Sequence, residues 1–142
     1  MAIAQAVCNS FKQQILEGVH NFATGGNVFK LSLYTSAANL SASTTVYTST
    51  NEVANTGQYS AGGGTLTGQQ TSLDTGVAIV DFADLSFTGV TLTAAGALIY
   101  NTSASNKAVC VLDFGGDKTA TAGTFTIVFP AFTSANAILR IS

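Results

Sequence analysis

Charge is what this sequence has least of. Asp, Glu, Lys and Arg together make up 8% of its 142 residues, against about 25% in a typical soluble domain. Long apolar runs are missing as well, none approaching the ~18 residues that a membrane-spanning helix needs. The first residues, MAIAQAVCNSFKQQILEGV, carry no basic leader ahead of an apolar stretch, so neither a signal peptide nor a membrane partner is expected. Cations are few and scattered, at Lys12, Lys30, Lys107, Lys118 and Arg140, in a chain of net charge −2. Neutralising several phosphates takes a cluster of Lys and Arg, so nucleic acid is not an expected partner. There is no Trp, and His20 is the single histidine. The two cysteines, Cys8 and Cys110, match no metal-binding spacing and read as free thiols of a chain folded in a reducing cytoplasm.

What is present is hydrophobic content of 46% in a chain of one-domain length. A chain so apolar and so uncharged hides surface against something, and the cores of protein interfaces are depleted in charge. Composition alone therefore favours a subunit of an assembly, with an oligomer of this chain as the first partner.

Periodicity divides the chain in two. Val7, Phe11, Ile15, Val19 and Phe22 recur at helical spacing, which predicts a helix over 3–21 within an N-terminal segment 1–24. Asn9 or Ser10 is its candidate cap and Gly25-Gly26 follow its end. Val7, Phe11 and Ile15 form a face that packs either on the chain's own sheet or on a neighbouring subunit. From Val28 the period is two, and residues 27–142 read as a β-sandwich. In VFKLSLYTS, Phe29, Leu31 and Leu33 share one face and Lys30 and Ser32 the other. Further strands are expected at TTVYTST (44–50), GTLTG (64–68), GVAIVDF (76–82), LSFTGVTLT (85–93, with a bulge at Gly89), GALIYNT (96–102), KAVCVLDF (107–114), TFTIVFP (124–130) and AILRIS (137–142). SASN separates two of them as a turn. The whole predicts a mainly β, single-domain chain: an antiparallel β-sandwich or jelly-roll-like fold with one N-terminal helix.

Catalytic groups do not converge in the sequence, so no enzyme and no cofactor or metal is expected. His20 would close the helix as a surface group suited to the negative end of its dipole. Asp74, Asp81, Asp84, Asp113 and Asp117 fall at strand ends and turns, where an Asp side chain bonds nearby backbone N–H groups. D-F-G-G-D reads as a turn with too few oxygens for a calcium loop. The sequons Asn39-Leu40-Ser41 and Asn101-Thr102-Ser103 carry little weight in a chain this rich in Ser and Thr.

One stretch stands apart. Glu52–Gly64 reads EVANTGQYSAGGG, glycine-rich yet without Lys or Arg, and followed by a strand where a phosphate loop would feed a helix. Tyr47, Val53 and Tyr59 provide apolar anchors, which argues against a floppy linker. Glu52, Val53, Asn55, Gln58 and Tyr59 are therefore expected to form an uncharged loop that contacts another protein.

The order FKLSLYTSAANLSASTTVYTSTNEVANTGQYSAGGGTLTG, followed by GALIYNTSASNKAVCVLDFGGDKTATAGTFTIVFP, resembles a family of small virion proteins of tailed bacteriophages. The LYTS…TNEV…GQYSAGG and IYN…NKAVCVLDFG…KT blocks are its most specific parts, and MAIAQAVCNSFKQQILEGVHNF is similar to that family's start. The resemblance implies a virion structural protein made in the host cytoplasm. Within the virion it implies a capsid decoration, or cement, protein on the outer face of the head, whose partners are the major capsid protein and further copies of itself, as a trimer. The alternatives are a tail, baseplate or fibre-base component, and a carbohydrate-binding β-sandwich that uses exposed tyrosines. The missing Trp, the favoured sugar-stacking side chain, counts against the last.

Overall fold

In the computed structural model, which describes residues 2–142, the chain is mainly β, antiparallel throughout its named strands, with a single α-helix. β1 (Ala6–Val7) leads directly into α1 (Asn9–Leu16), which is shorter than predicted at both ends. Ala6 and Val7 are captured by a sheet, opposite Val111 and Cys110, so helix can begin only at Asn9. Cys8, not Asn9 or Ser10, takes the extended capping position, and its side chain makes no cap bond. The helix stops at Leu16 because Gly18 turns left-handed (φ 73°), sending its N–H back to Ile15 and that of Val19 back to Gln14.

β2 (Phe29–Tyr34) is followed by a long irregular segment, then β3 (Gly64–Thr65), β4 (Gln70–Asp74) and β5 (Val77–Asp81). The region 44–50, expected as a strand, holds only one bridge, Val46 to Lys107. Tyr47 N–H to Asn106 and Ala108 N–H to Thr45 make that bridge, and beyond it the Thr48 carbonyl accepts from the Tyr34 hydroxyl instead of a strand. β4 was not visible in the hydrophobic pattern, because QTSLD is almost wholly exposed and polar. It forms by pairing with β5 across Thr75-Gly76, both left-handed (φ 49° and 82°), as a tight two-residue hairpin requires.

Four expected strands fuse into two. LSFTGVTLT and GALIYNT are one 17-residue strand, β6 (Leu85–Asn101). KAVCVLDF and TFTIVFP belong to one 21-residue strand, β7 (Lys107–Ile127), joined to β6 by a short 3-10 turn (Thr102–Ala104) that closes on left-handed Ser105 and Asn106 within the predicted SASN turn. The bulge expected at Gly89 is present, φ 63°, where the register shifts between Phe87 and Val90. D-F-G-G-D is not a turn between strands. Ala94 faces Lys118 and Gly96 faces Asp113, so Phe114, Gly115, Gly116 and Asp117 stand opposite Ala95 alone as a large bulge. β8 (Leu139–Ile141) ends the chain.

These strands make a five-stranded sheet, β1-β7-β6-β2-β3, and a three-stranded sheet, β4-β5-β8. β2, flanked by β6 and β3, is buried on both faces, so Ser32 is as inaccessible as Leu31 and Leu33. One core joins the sheets through Phe29, Phe82, Phe87, Leu98, Val109 and Leu139. Among the described residues no helix is long and apolar enough to cross a membrane.

Candidate functional site

The glycine-rich loop turns inward. Tyr59, expected at a contact surface, is fully buried, and Val53 is buried beside it. Val53 N–H bonds the Leu33 carbonyl at 2.9 Å, which adds the loop to the edge of β2. Tyr59 packs edge-on against Phe87, centroids 5.0 Å apart. Its hydroxyl accepts from Leu33 N–H at 2.8 Å and donates to a Glu52 oxygen at 2.7 Å. The same oxygen accepts Gly62 N–H at 2.7 Å, and the other accepts the Tyr47 hydroxyl. Tyr100 donates to the Gly62 carbonyl and stacks on Tyr47, while Tyr34 donates to Thr48.

All four tyrosines of the chain thus gather around one carboxylate. Burial, together with Glu52, raises the phenol pKa values, to about 12 for Tyr34 and Tyr100. The loop's remaining polar residues tie it down: the Asn55 side chain accepts Ala61 N–H at 2.8 Å, and Gln58 exchanges bonds with Thr88 of β6. Of the five residues expected to touch a partner, Asn55 and Gln58 stay exposed, Glu52 is half-buried, and Val53 and Tyr59 belong to the core. Of the tyrosines that the carbohydrate alternative would use, Tyr34, Tyr59 and Tyr100 are buried and Tyr47 is half-buried.

His20 is also not where a helix extending to residue 21 would put it. It is buried among Phe11, Phe22 and Phe29. Its Nε2 donates to Gln14 Oε1 at 2.8 Å, and Nδ1 accepts from the Asn101 amide at 3.0 Å. Burial, then the charge of Lys107, pull its pKa down to about 4. Both nitrogens of a neutral ring are satisfied, and neither is free for proton transfer.

The thiols are buried and free, and burial pushes Cys8 up to about 11 and raises Cys110 as well, the reverse of an activated thiolate. Asp113 accepts the nearby N–H of Gly115, the local role expected of it, whereas Asp74 and Asp84 accept N–H bonds from the distant Ser134 and Phe129 and tie the C-terminal segment to the strands. No group of three or more His, Cys, Asp or Glu comes together as a metal site among the described residues.

Two surfaces remain. One is the outer face of the β6–β7 ribbon. Phe87, Val90, Leu92, Phe125 and Ile127 point into the core, and the alternate positions are Ser86, Thr88, Thr91, Thr93, Thr119, Thr121, Thr124 and Thr126, all exposed. Ser86 and Thr126 hydrogen-bond across the strands at 2.9 Å, Thr93 and Thr119 at 3.0 Å, and Thr91 accepts Ala122 N–H. This face is hydroxylated, and none of these eight positions carries a charge. The alternation in LSFTGVTLT and TFTIV contained that signal, but only the pairing of the two segments shows that their hydroxyls share a face.

The other is an apolar groove of about 750 Å³ between α1 and the small sheet. Val7, Phe11 and Ile15, the expected contact face, line one wall, so the stripe packs mainly on its own domain and leaves Ile15 half-open. Val80, Leu139 and Ile141 form the floor. The register aligns Thr71, Val80 and Leu139 in one row and Leu73, Ala78 and Ile141 in the next. The second row lies in the open: Leu73 is 73% and Ile141 59% exposed, and Leu16 on the rim is 88% exposed. Lys12 and Arg140 line the groove and, among the described residues, no carboxylate does. Comparison of the chain with protein-family models, with curated proteins and with solved structures returns no match.

Proposed function

We propose that this chain is a non-enzymatic structural protein of a bacteriophage virion, a decoration protein that binds the outer face of the major capsid protein lattice and stabilises the shell. The observation that carries this reading is the hydroxyl face of the β6–β7 ribbon, alongside the resemblance of the LYTS and IYN blocks to phage virion proteins. Burying a charged surface against another protein costs several kcal/mol per unpaired ion, whereas hydroxyls exchange water for partner groups at small cost. β-branched threonines on paired strands are also stiff before contact, so docking orders little. A ligand that binds only the assembled shell stabilises it by mass action and needs no reaction.

The test is cosedimentation of the purified protein with empty capsids and, separately, with tails. Saturable binding to capsids is expected, weakened by Thr91→Lys together with Thr121→Lys, which place two exposed cations on the ribbon without touching the core. Binding to tails alone would overturn the decoration reading.

A further inference from the structure

The groove carries both halves of a contact. Its apolar hollow lies beside apolar knobs, Leu16 at the end of α1 and Leu73 and Ile141 on the open sheet row. Its charges are arranged in the same way. Lys12 and Arg140 border the groove, which no carboxylate lines among the described residues, while Glu17 stands exposed just past the helix end, its carboxylate accepting the Gln13 amide.

We propose that copies of this chain meet through this face, Leu16 of one copy entering the groove of the next between α1 and the small sheet, with Glu17 meeting Lys12 across the contact. A second copy is the occupant that these charges select. In a chain with 8% charged residues, two cations bordering an apolar hollow and a carboxylate on the adjacent knob complement each other only when two copies are apposed. A patch holding both knob and hollow is also what an interface between identical subunits requires, whether it closes as a pair or passes head to tail around a ring. The inference deepens the reading above, assigning a surface to the self-association it includes and leaving the threonine ribbon free for the lattice.

Sedimentation velocity of the full chain across a micromolar concentration series tests it. The expected result is a concentration-dependent oligomer whose dissociation constant rises by about tenfold or more in Leu16→Glu, the range in which loss of an interface anchor falls. Leu16 is 88% exposed, so this variant keeps its fold, which circular dichroism checks. Lys12→Glu and Glu17→Lys should each weaken the oligomer, and the double variant should recover it, a rescue that no purely structural role for either residue produces. A chain that stays monomeric throughout, or an oligomer indifferent to Leu16→Glu, overturns the inference. So does a Leu16→Glu variant that self-associates normally but no longer binds capsids, because the groove then belongs to the lattice while the decoration reading stands. Wild-type self-association that is sensitive to Leu16→Glu, in a protein that ignores capsids, supports this inference and removes that reading.

Discussion

The Tyr59 hydroxyl donates to the Glu52 carboxylate at 2.7 Å while accepting the backbone N–H of Leu33 at 2.8 Å. One side-chain oxygen therefore joins the glycine-rich loop to strand β2 and to the carboxylate that organises the other tyrosines.

Tyr59→Phe keeps the ring against Phe87 and removes only that oxygen. Leu33 N–H is left without a partner in the core and Glu52 loses one of its donors. A buried polar group left unsatisfied costs about 1–3 kcal/mol. The urea midpoint should fall accordingly, with an unchanged slope. Tyr59→Ala adds a cavity and should cost about 3–5 kcal/mol. A Tyr59→Phe variant as stable as the parent would show that the loop is held by packing alone.

His20 sets the acid limit. Its pKa is about 4 in the folded chain against 6.5 when exposed, so the unfolded chain binds the extra proton first. The neutral ring therefore contributes stability that is complete above pH 6.5 and is lost as pH falls towards 4. At about 1.4 kcal/mol per pKa unit, that contribution reaches up to about 3 kcal/mol. Denaturation at a series of pH values should show stability dropping across this window. His20→Gln, neutral throughout, should flatten the drop while lowering stability at pH 7 through imperfect packing among the phenylalanines.

How far these features were legible in the residues differs from one to the next. Strands β2, β5 and β8 and the Gly89 bulge follow from apolar alternation and a single glycine. Helix α1 was visible, but its limits were not: capture of Ala6–Val7 by β7 is a long-range pairing, and it overrides the local helical stripe. The fused strands escaped because Gly115-Gly116 look like a turn, and only the partner strand makes them a bulge. Tyr59 lies furthest from where its sequence neighbours suggest. A tyrosine among glycines and small polar residues has the composition of a contact loop. Glu52, seven residues earlier, turns it inward, and nothing local in EVANTGQYSAGGG shows that the carboxylate finds several phenols. The groove was half-legible. Val7, Phe11 and Ile15 mark its wall, while its floor needs β4, β5 and β8 brought together across more than sixty residues of chain.

The tyrosines set the alkaline limit. Tyr34 and Tyr100 are raised from 10.0 to about 12, chiefly by burial. The folded chain thus holds phenolic protons that the unfolded chain releases. Stability is full below pH 10 and falls as pH rises towards 12, by about 1.4 kcal/mol per pH unit for each phenol. Phenolate absorbance should therefore stay low until circular dichroism reports unfolding, the two transitions coinciding. Phenolate appearing near pH 10 in a still-folded chain would mean that the cluster is open to solvent.

Gly63 provides the most local test of how the loop closes on the sheet. Its φ is +83°, and a Cβ built there would lie 1.8 Å from the Leu31 carbonyl oxygen, an atom of the β2 backbone that cannot rotate away. Leu31 is also the residue opposite Gly64 in the β2–β3 ladder. Gly63→Ala thus combines a left-handed backbone, costing about 1–2 kcal/mol for a residue with a side chain, with a clash that must push β3 off the edge of the sheet. A loss of about 3 kcal/mol or more is expected, at the severe end for a single substitution. Gly76→Ala is the control: its φ is +82°, but nothing lies within 4 Å of the added carbon, so only the backbone cost applies. Chemical denaturation of the two variants separates the terms. Equal losses would mean that β3 has room to move, and that the loop is not held against β2 as tightly as the Glu52–Tyr59 bond requires.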